Sequence, residues 1–202
     1  MSIERASSRI SRRGEQTREQ IIVAARQLFT EHGYHKTSVY DLFEQASITK
    51  GAFFHHWKTK EDLALAILEH VKENFEIHFF SVAKAEGRAR DKIERLLRNM
   101  GELFRDPKWG YGRIFALWCA EMGTDEEKIG PAVHALKMRW CTLWQELIQR
   151  AQQEHDLRAD ISAENLGFLV ISAIFGVQLM SRGTSPDTAK TALETLRRTI
   201  LT

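Results

Sequence analysis

The residues whose types and spacing suggest chemistry lie in the segment 37–57. Ser38 precedes a short apolar pattern and is followed three residues later by Asp41, which is the spacing of a helix-capping box. Thr49 stands in the same position before a second short segment, which begins with Lys50. Hydroxyl, ammonium and backbone N–H groups at the start of a helix favour bound anions. This segment therefore predicts a surface that contacts the phosphates and base edges of DNA.

Two short helices must position these residues. The first is indicated by apolar residues at helical spacing, namely Val39, Leu42, Phe43 and Ala46. Ser47 and Ile48 then break the pattern. Helices of one or two turns are marginal in water because nucleation is costly. We therefore expect both to pack on a preceding helix, which runs from about Glu15 to His32 and ends at Gly33.

The composition indicates an all-α protein. The chain has 202 residues, and 43% of them are hydrophobic, which is enough for a buried core. It contains only three prolines and no alternating Val/Ile/Thr-rich run bounded by turns. Because apolar residues at helical spacing continue from Thr59 to the end, we predict about nine helices.

Positive charge is concentrated at the N-terminal end. Residues 1–60 contain ten Lys and Arg against six Asp and Glu, whereas the remainder carries 19 basic and 21 acidic residues. A basic segment supports contact with a nucleic acid. Residues 1–14 include four arginines, and we predict a flexible basic arm that follows DNA. A solvated tail without specific contacts is the alternative.

Other features argue against an enzyme, a metalloprotein and a membrane protein. No Gly-rich phosphate loop, nucleophile elbow or metal-binding His/Glu helix motif is present, so we expect no cofactor and no metal. Cys119 and Cys141 have no metal-binding spacing and are expected to be buried free thiols, with electrophile sensing at Cys119 as the alternative. The longest apolar run, 166–177, is too short to cross a bilayer, and no signal-peptide pattern is present. We expect a soluble cytoplasmic protein.

The segment from Thr17 to Leu68 closely resembles the N-terminal DNA-binding domain of TetR family transcriptional regulators. Several spaced features carry the resemblance together, namely Ala24-Ala25, Leu28-Phe29, Gly33-Tyr34, Thr37-Ser38, Asp41, Ala46, Lys50-Gly51, His55, Lys60-Glu61 and Leu63. The resemblance implies a helix-turn-helix domain at 15–58 and a helical ligand-binding and dimerisation domain at 59–202. It also implies three partners, which are a double-stranded DNA operator, a second copy of the chain in a homodimer, and a small-molecule effector.

The resemblance and the geometry of a helix-turn-helix together assign the DNA-binding residues. These are Arg13, Arg18, Thr37, Ser38, Tyr40, Thr49, Lys50, Gly51, Phe54, His55 and Lys60. The family usually has tyrosine where this chain has Phe54, and phenylalanine where it has Trp57. A phenyl ring cannot donate to a phosphate, so we expect Phe54 to contact a thymine methyl group or a sugar edge.

Aromatic residues in the C-terminal part have two interpretations. At helical spacing they fill a core; as the resemblance implies, they line a pocket for an apolar or aromatic effector. The candidate pocket residues are Trp109, Phe115, Trp118, Met122, Trp140, Trp144 and Phe175. The resemblance also implies that the last two helices form the dimer interface, with the candidates Leu166, Val170, Ile174, Val177, Leu193, Leu196 and Ile200.

The expected function is that of a ligand-responsive DNA-binding transcriptional regulator. As the resemblance implies, it represses transcription from a palindromic operator and is released when a small apolar or aromatic molecule binds the C-terminal domain. The alternative is a dimeric DNA-binding regulator without a small-molecule ligand, whose tryptophans only fill a core.

Overall fold

The computed structural model describes residues 2–104, 111–125, 128–181 and 183–201, with side chains from Gly14 onward except at Pro186. The described residues form helices and no strand. The helices are α1 (Ser2–His32), α2 (Val39–Gln45), α3 (Lys50–His56), α4 (Lys60–Phe75), α5 (Ser81–Lys84), α6 (Ala89–Leu103), α7 (Tyr111–Glu121), α8 (Ile129–Gln153), α9 (Ala163–Met180) and α10 (Pro186–Leu201). A π-helical turn (Glu76–Phe80) joins α4 to α5. The all-α prediction is confirmed, and the continuous stretch 60–84, taken as one helix, leaves nine helices in the described part of the chain.

The chain forms two compact units, one that ends at Leu68 and one that begins at Glu69. The boundary therefore lies inside α4, whereas the sequence placed it before that helix. The sequence boundary was set at the start of α4, although the resemblance itself continues to Leu68, and the first turns of α4 supply Leu63, Ala64 and Ile67 to the buried core.

In the first unit, α2 and α3 both pack against α1. The buried residues of α1 recur at helical spacing, as predicted, and include Ile21, Ile22, Ala25, Leu28 and Phe29. Gly33 ends α1 with a φ of 87°, the left-handed conformation in which glycine is favoured. Leu42 of α2 and Phe53 of α3 are also fully buried. The two short helices are thus held by the helix before them.

The N-terminus of α1 differs from the sequence prediction. The helix begins at Ser2, whereas we expected a flexible arm up to residue 14 and a helix start at Glu15. No proline occurs before Glu15, and Gly14 disfavours a helix by only about 1 kcal/mol relative to alanine. The backbone of the predicted arm is therefore helical here.

The second unit is built around α8, its longest helix. Helices α6, α7 and α9 pack against α8, and α10 packs against both α6 and α9. By length and composition α9 could cross a membrane, yet within this unit it packs against α7, α8 and α10. One side of α9 therefore belongs to the core of the unit.

The π-helical turn lies directly after α4 and before α5. Phe79 and Phe80 of this turn are buried, as is the preceding Phe75. Ile77 is exposed. Single π turns inside α-helices are rare and recur at functional sites.

Candidate nucleic-acid interface

Both short helices of the first unit begin with a side-chain cap, as predicted. The Ser38 hydroxyl accepts from the Asp41 backbone N–H at 3.2 Å, and the Asp41 carboxylate accepts from the Ser38 N–H at 2.6 Å. The backbone and hydroxyl of Ser38 hold the pKa of the Asp41 carboxyl below its usual value. Thr49 caps α3 by accepting from the Ala52 N–H at 3.2 Å. Each cap fixes where its helix starts and which N–H groups remain available at that end.

A tight turn joins α2 to α3. Ser47 has a φ of 51°, which is the left-handed region for a residue other than glycine. The Ile48 N–H donates to the Phe43 carbonyl at 3.0 Å and closes the turn. Phe53 and the buried Trp57 then hold α3 against the core. This arrangement leaves the opposite side of α3 exposed.

Exposed side chains on α2 and α3 form the candidate interface. Tyr40 is 72% exposed and Phe54 is 46% exposed, and both rings contact Phe43, at 5.7 Å and 6.4 Å between centroids. The Lys50 ammonium lies 6.0 Å from the Phe54 ring centroid. The side chain of His55 is also exposed. A phenol, an ammonium, a phenyl ring and an imidazole thus lie on neighbouring helices where a duplex could reach them.

Gly51 lies in the first turn of α3, beside these side chains. A Cβ atom at this position would meet only the Thr49 hydroxyl, at 3.9 Å, so the packing of this chain leaves room for alanine. Gly51 has no left-handed backbone conformation that would require glycine. Neither the packing nor the backbone of the described chain thus requires glycine at this position, and Gly51 remains a candidate for close approach of a duplex.

Two predicted DNA-binding residues are used inside the chain. Thr37 is buried, and its hydroxyl donates to the Gly33 carbonyl at 2.7 Å. The Lys60 ammonium donates to the carbonyls of Tyr34 and Thr37, each at 2.8 Å. The sequence suggested polar side chains for phosphate contact at both positions, but here their hydrogen bonds hold the turn between α1 and α2. We therefore remove the side chains of Thr37 and Lys60 from the proposed interface.

Of the two arginines predicted to bind DNA, the structure describes the side chain of Arg18 but not that of Arg13. The side chain of Arg13 lies outside the described part. Arg18 is exposed, with its guanidinium 5.5 Å from the Trp57 ring centroid. Burial of His56, with smaller effects from His55 and Arg18, lowers the pKa of the His56 imidazole from its usual 6.5. His56 therefore adds little positive charge at neutral pH, and Arg18 remains a candidate for phosphate contact.

Sequence reasoning missed two exposed lysines in the turns around the two helices. Lys36 precedes α2 and Lys58 follows α3, and both side chains are exposed. Lysines in turns beside a helix-turn-helix suit phosphate contacts, which carry no base specificity. Their place on either side of the capped segment was the signal that could have found them.

The predicted effector residues mostly pack on one another in the second unit. Phe115, Trp118, Trp140 and Trp144 are fully buried. Trp140 lies 5.8 Å from Trp144 and 5.1 Å from Phe75, measured between ring centroids. Met122 is partly exposed, and Trp109 lies outside the described residues. The four fully buried side chains therefore fill the core, as the first of the two interpretations predicted.

A cavity of about 590 Å³ lies beside that aromatic core, between α7, α8 and α9. Of the predicted effector residues that the structure describes, only Phe175 lines it, together with Cys119, Cys141, His134 and Lys137. Burial raises the pKa of the Cys119 thiol to about 12, and burial likewise raises that of Cys141. Both thiols are partly exposed rather than fully buried as expected, and both stay protonated at neutral pH.

The predicted dimer residues also mostly face inward. Leu166, Val170, Ile174, Leu193 and Ile200 are buried within this chain, while Val177 and Leu196 are partly exposed. The large apolar side chains that α9 exposes are instead Phe168, Leu169, Leu179 and Met180. Because α9 is apolar almost all round, the sequence could not show which side is covered by its own chain.

Comparison with known proteins finds a matching protein family for each of the two units. Residues 21–67 match the family described as bacterial regulatory proteins, tetR family, and residues 86–199 match the tetracyclin repressor-like C-terminal domain. The regulator TtgR of Pseudomonas putida is 32% identical over 78 residues, which are 39% of this chain and 37% of that protein. The aligned segment therefore spans well under half of this relative.

Solved structures share the fold over nearly the whole chain. A TetR family regulator from Agrobacterium tumefaciens has a TM-score of 0.79 at 16% identity and covers 94% of this chain and 100% of its own. AibR, in complex with isovaleryl coenzyme A and operator DNA, has a TM-score of 0.78 at 17% identity and covers 92% and 98%. At these identities the structures show a shared architecture.

Proposed function

Because this chain belongs to the TetR family, whose transcriptional regulators bind operator DNA and act as dimers, we propose that it is a repressor of a palindromic operator. The repressor is released from the operator when the second unit binds a small apolar or aromatic molecule. The family's members are soluble regulators and not enzymes, and we infer a cytoplasmic location. The observation that carries the DNA-binding part is the exposed surface of Tyr40, Lys50, Gly51, Phe54 and His55 on two capped helices.

We test operator recognition with footprinting of the DNA upstream of the chain's own gene. Two copies of the second helix in successive major grooves should protect two inverted half-sites about one helical turn or more apart. Protection that is uniform along the fragment, or absent at concentrations where unrelated DNA is also bound, would contradict the proposal.

The exposed side of α9 supports a homodimer formed through this helix. Phe168 is 71% exposed, Leu169 59% and Met180 79%, and large exposed apolar patches mark sites of protein–protein contact. Phe168→Glu should convert the dimer to a monomer in light scattering, because a carboxylate would be buried without a partner. Ile77→Glu is the matched control, since Ile77 is 65% exposed but lies on the π turn. A Phe168→Glu variant that stays dimeric would place the interface elsewhere.

The cavity between α7, α8 and α9 is our candidate effector site. Its size suits a small molecule, and its lining is mainly apolar with a few polar groups, as in ligand pockets generally. Phe168 and Leu179 belong both to this lining and to the exposed side of α9. Effector occupancy would therefore act on the same side chains that we assign to the dimer, which provides a route from ligand to the spacing of the DNA-binding units.

The alternative is a dimeric regulator without an effector, which the close packing of Trp118, Trp140 and Trp144 favours. Tryptophan fluorescence during a metabolite screen separates the two. Because AibR was crystallised with isovaleryl coenzyme A, acyl thioesters belong in that screen beside apolar aromatics. A ligand that changes fluorescence and weakens operator binding supports the effector proposal, and silence across diverse ligands supports the alternative.

A further inference from the structure

A second, cationic groove lies in the second unit between the π turn, α5, α6 and α8. It encloses about 440 Å³. Among the described residues, four basic side chains line it, Lys84, Lys92, Arg139 and Arg150, against one acidic side chain, Glu146, and Arg150 is also paired with Glu154 at 2.8 Å. This charge balance is unlike that of the larger cavity and favours a negatively charged occupant.

The base of the groove is apolar. Phe80, Leu143 and Leu147 line it and are buried. The guanidinium of Arg139 stacks on the Phe80 ring at 3.7 Å from its centroid, which holds the cation in place above this apolar surface. An occupant that combines an anionic group with a small apolar part would match both features.

Lys92 gives the groove a positive charge that is largely removed from water. Its residue is only 6% exposed, and its ammonium donates to the Ala83 carbonyl at 3.1 Å, in the last turn of α5. No carboxylate of the described residues forms an ion pair with it. A buried ammonium is costly unless its charge is compensated, and the helix end compensates it only in part. An anion in the groove would complete the compensation.

Two of the other cations already bind one carboxylate, that of Glu76 in the π turn. Lys84 and Arg139 each lie 2.5 Å from an oxygen of Glu76. Their hydrogen bonds, from Lys84 first and then from Arg139, lower the pKa of the Glu76 carboxyl. Glu76 thus pairs with two of the cations that an anionic ligand in the groove would contact, and it also joins the π turn to α8.

We propose that this groove binds a small organic anion, a phosphate or carboxylate attached to a short apolar group, in competition with Glu76. The anionic group contacts Lys92, Arg139 and Lys84, and the apolar part packs over Leu143 and Leu147. Binding displaces the Glu76 carboxylate and releases the π turn from α8. The site lies on different residues from the effector cavity, and its binding can be measured without DNA.

Ligand-observed NMR titrations of the full-length chain test this with three probes. Phenyl phosphate and phenylacetate represent the two possible anionic groups, and benzyl alcohol is their neutral counterpart. We expect at least one anion to bind and the alcohol not to bind. The stronger of the two anions identifies whether the site prefers phosphate or carboxylate. Absence of binding by both anions, or equal binding of the alcohol, would overturn the proposal.

Two substitutions in exposed side chains give effects of opposite sign. Arg139→Gln removes a ligand-binding cation and should weaken binding of the anion about tenfold or more. Glu76→Gln removes the competing carboxylate and should strengthen it. Lys190→Gln is the matched control, because Lys190 is paired with Glu102 at 2.7 Å away from the groove. Unchanged affinity in both Arg139→Gln and Glu76→Gln, or an equal loss in Lys190→Gln, would also overturn the proposal. Lys92→Gln is a third variant, and it is used only if circular dichroism shows that it is folded.

Discussion

The ammonium of Lys60 donates to the backbone carbonyl of Thr37 at 2.8 Å, and so joins the first turn of α4 to the residue before the cap of α2. The same ammonium donates to the Tyr34 carbonyl at 2.8 Å and lies 4.2 Å from the Tyr34 ring centroid. A side chain that we expected to contact DNA therefore fixes the turn that precedes α2, one of the two helices of the candidate interface. We therefore expect Lys60 to affect operator binding through the shape of the first unit.

Lys60→Met should loosen this turn without removing a DNA contact. Loss of charge-assisted hydrogen bonds to two carbonyls destabilises the local fold by about 2 kcal/mol. Amide hydrogen exchange measured by mass spectrometry should become faster in residues 34–45. Lys58→Met is the matched control, because Lys58 is exposed and should leave exchange in that segment unchanged. Equal exchange in both variants would mean that the two hydrogen bonds do not hold the turn.

Gly51→Ala should separate folding from DNA binding. A Cβ has room at this position, and alanine in a helix is favoured over glycine by roughly 0.5–1 kcal/mol, so the variant should melt at the same or a higher temperature. Its affinity for operator DNA should nevertheless fall at least about tenfold, because the methyl group holds α3 away from the duplex. An alanine variant that binds as tightly as the unmodified chain would show that α3 does not approach DNA at Gly51.

The phenol of Tyr40 is expected to supply the phosphate hydrogen bond that Phe54 cannot make. Both rings contact Phe43, so a hydroxyl on either helix lies near the same part of a bound duplex. Tyr40→Phe should weaken operator binding about fivefold, since one hydrogen bond contributes roughly 1 kcal/mol. Adding Phe54→Tyr should restore part of that loss. The idea fails if Tyr40→Phe binds normally in fluorescence anisotropy.

The local features of the first unit could be predicted from sequence, and its long-range contacts could not. Ser38 with Asp41 and Thr49 with Ala52 interact over three residues, so spacing alone located both caps. Lys60 reaches Tyr34 across 26 residues of sequence, and no periodic pattern indicates such a contact. The positive charge of Lys60 therefore suggested a DNA contact, whereas its hydrogen bonds in the structure stabilise the fold.

The second unit shows the same limit for helix faces. The apolar pattern of α9 predicted burial on more than one side, and the described chain covers one side; the pattern could not distinguish Ile174, which is buried in the chain, from Phe168, which is exposed. The sequence likewise showed that the tryptophans are concentrated in two segments, but it could not show that they pack on one another. Cys119 and Cys141 lie on different helices, and only the tertiary fold places both beside Lys137 in one cavity.

The thiols of this cavity should react slowly at neutral pH. Alkylation requires the thiolate, and burial raises the pKa of Cys119 to about 12, so the reactive form is scarce until the pH becomes strongly alkaline. Iodoacetamide should label Cys119 in the Cys141→Ala variant much more slowly in the native state than in urea. Similar rates in the two conditions would indicate an activated thiol, and would favour electrophile sensing at Cys119.

Operator binding by a variant of the exposed face of α3 tests the central claim most directly. Lys50→Ala combined with His55→Ala removes two exposed side chains that pack no core, so the double variant should remain a folded dimer in light scattering. In fluorescence anisotropy the unmodified chain should bind its upstream DNA in preference to a scrambled duplex, and the double variant should lose at least about tenfold in affinity. Retained affinity in the double variant, or equal binding of both duplexes by the unmodified chain, would contradict operator recognition through this face.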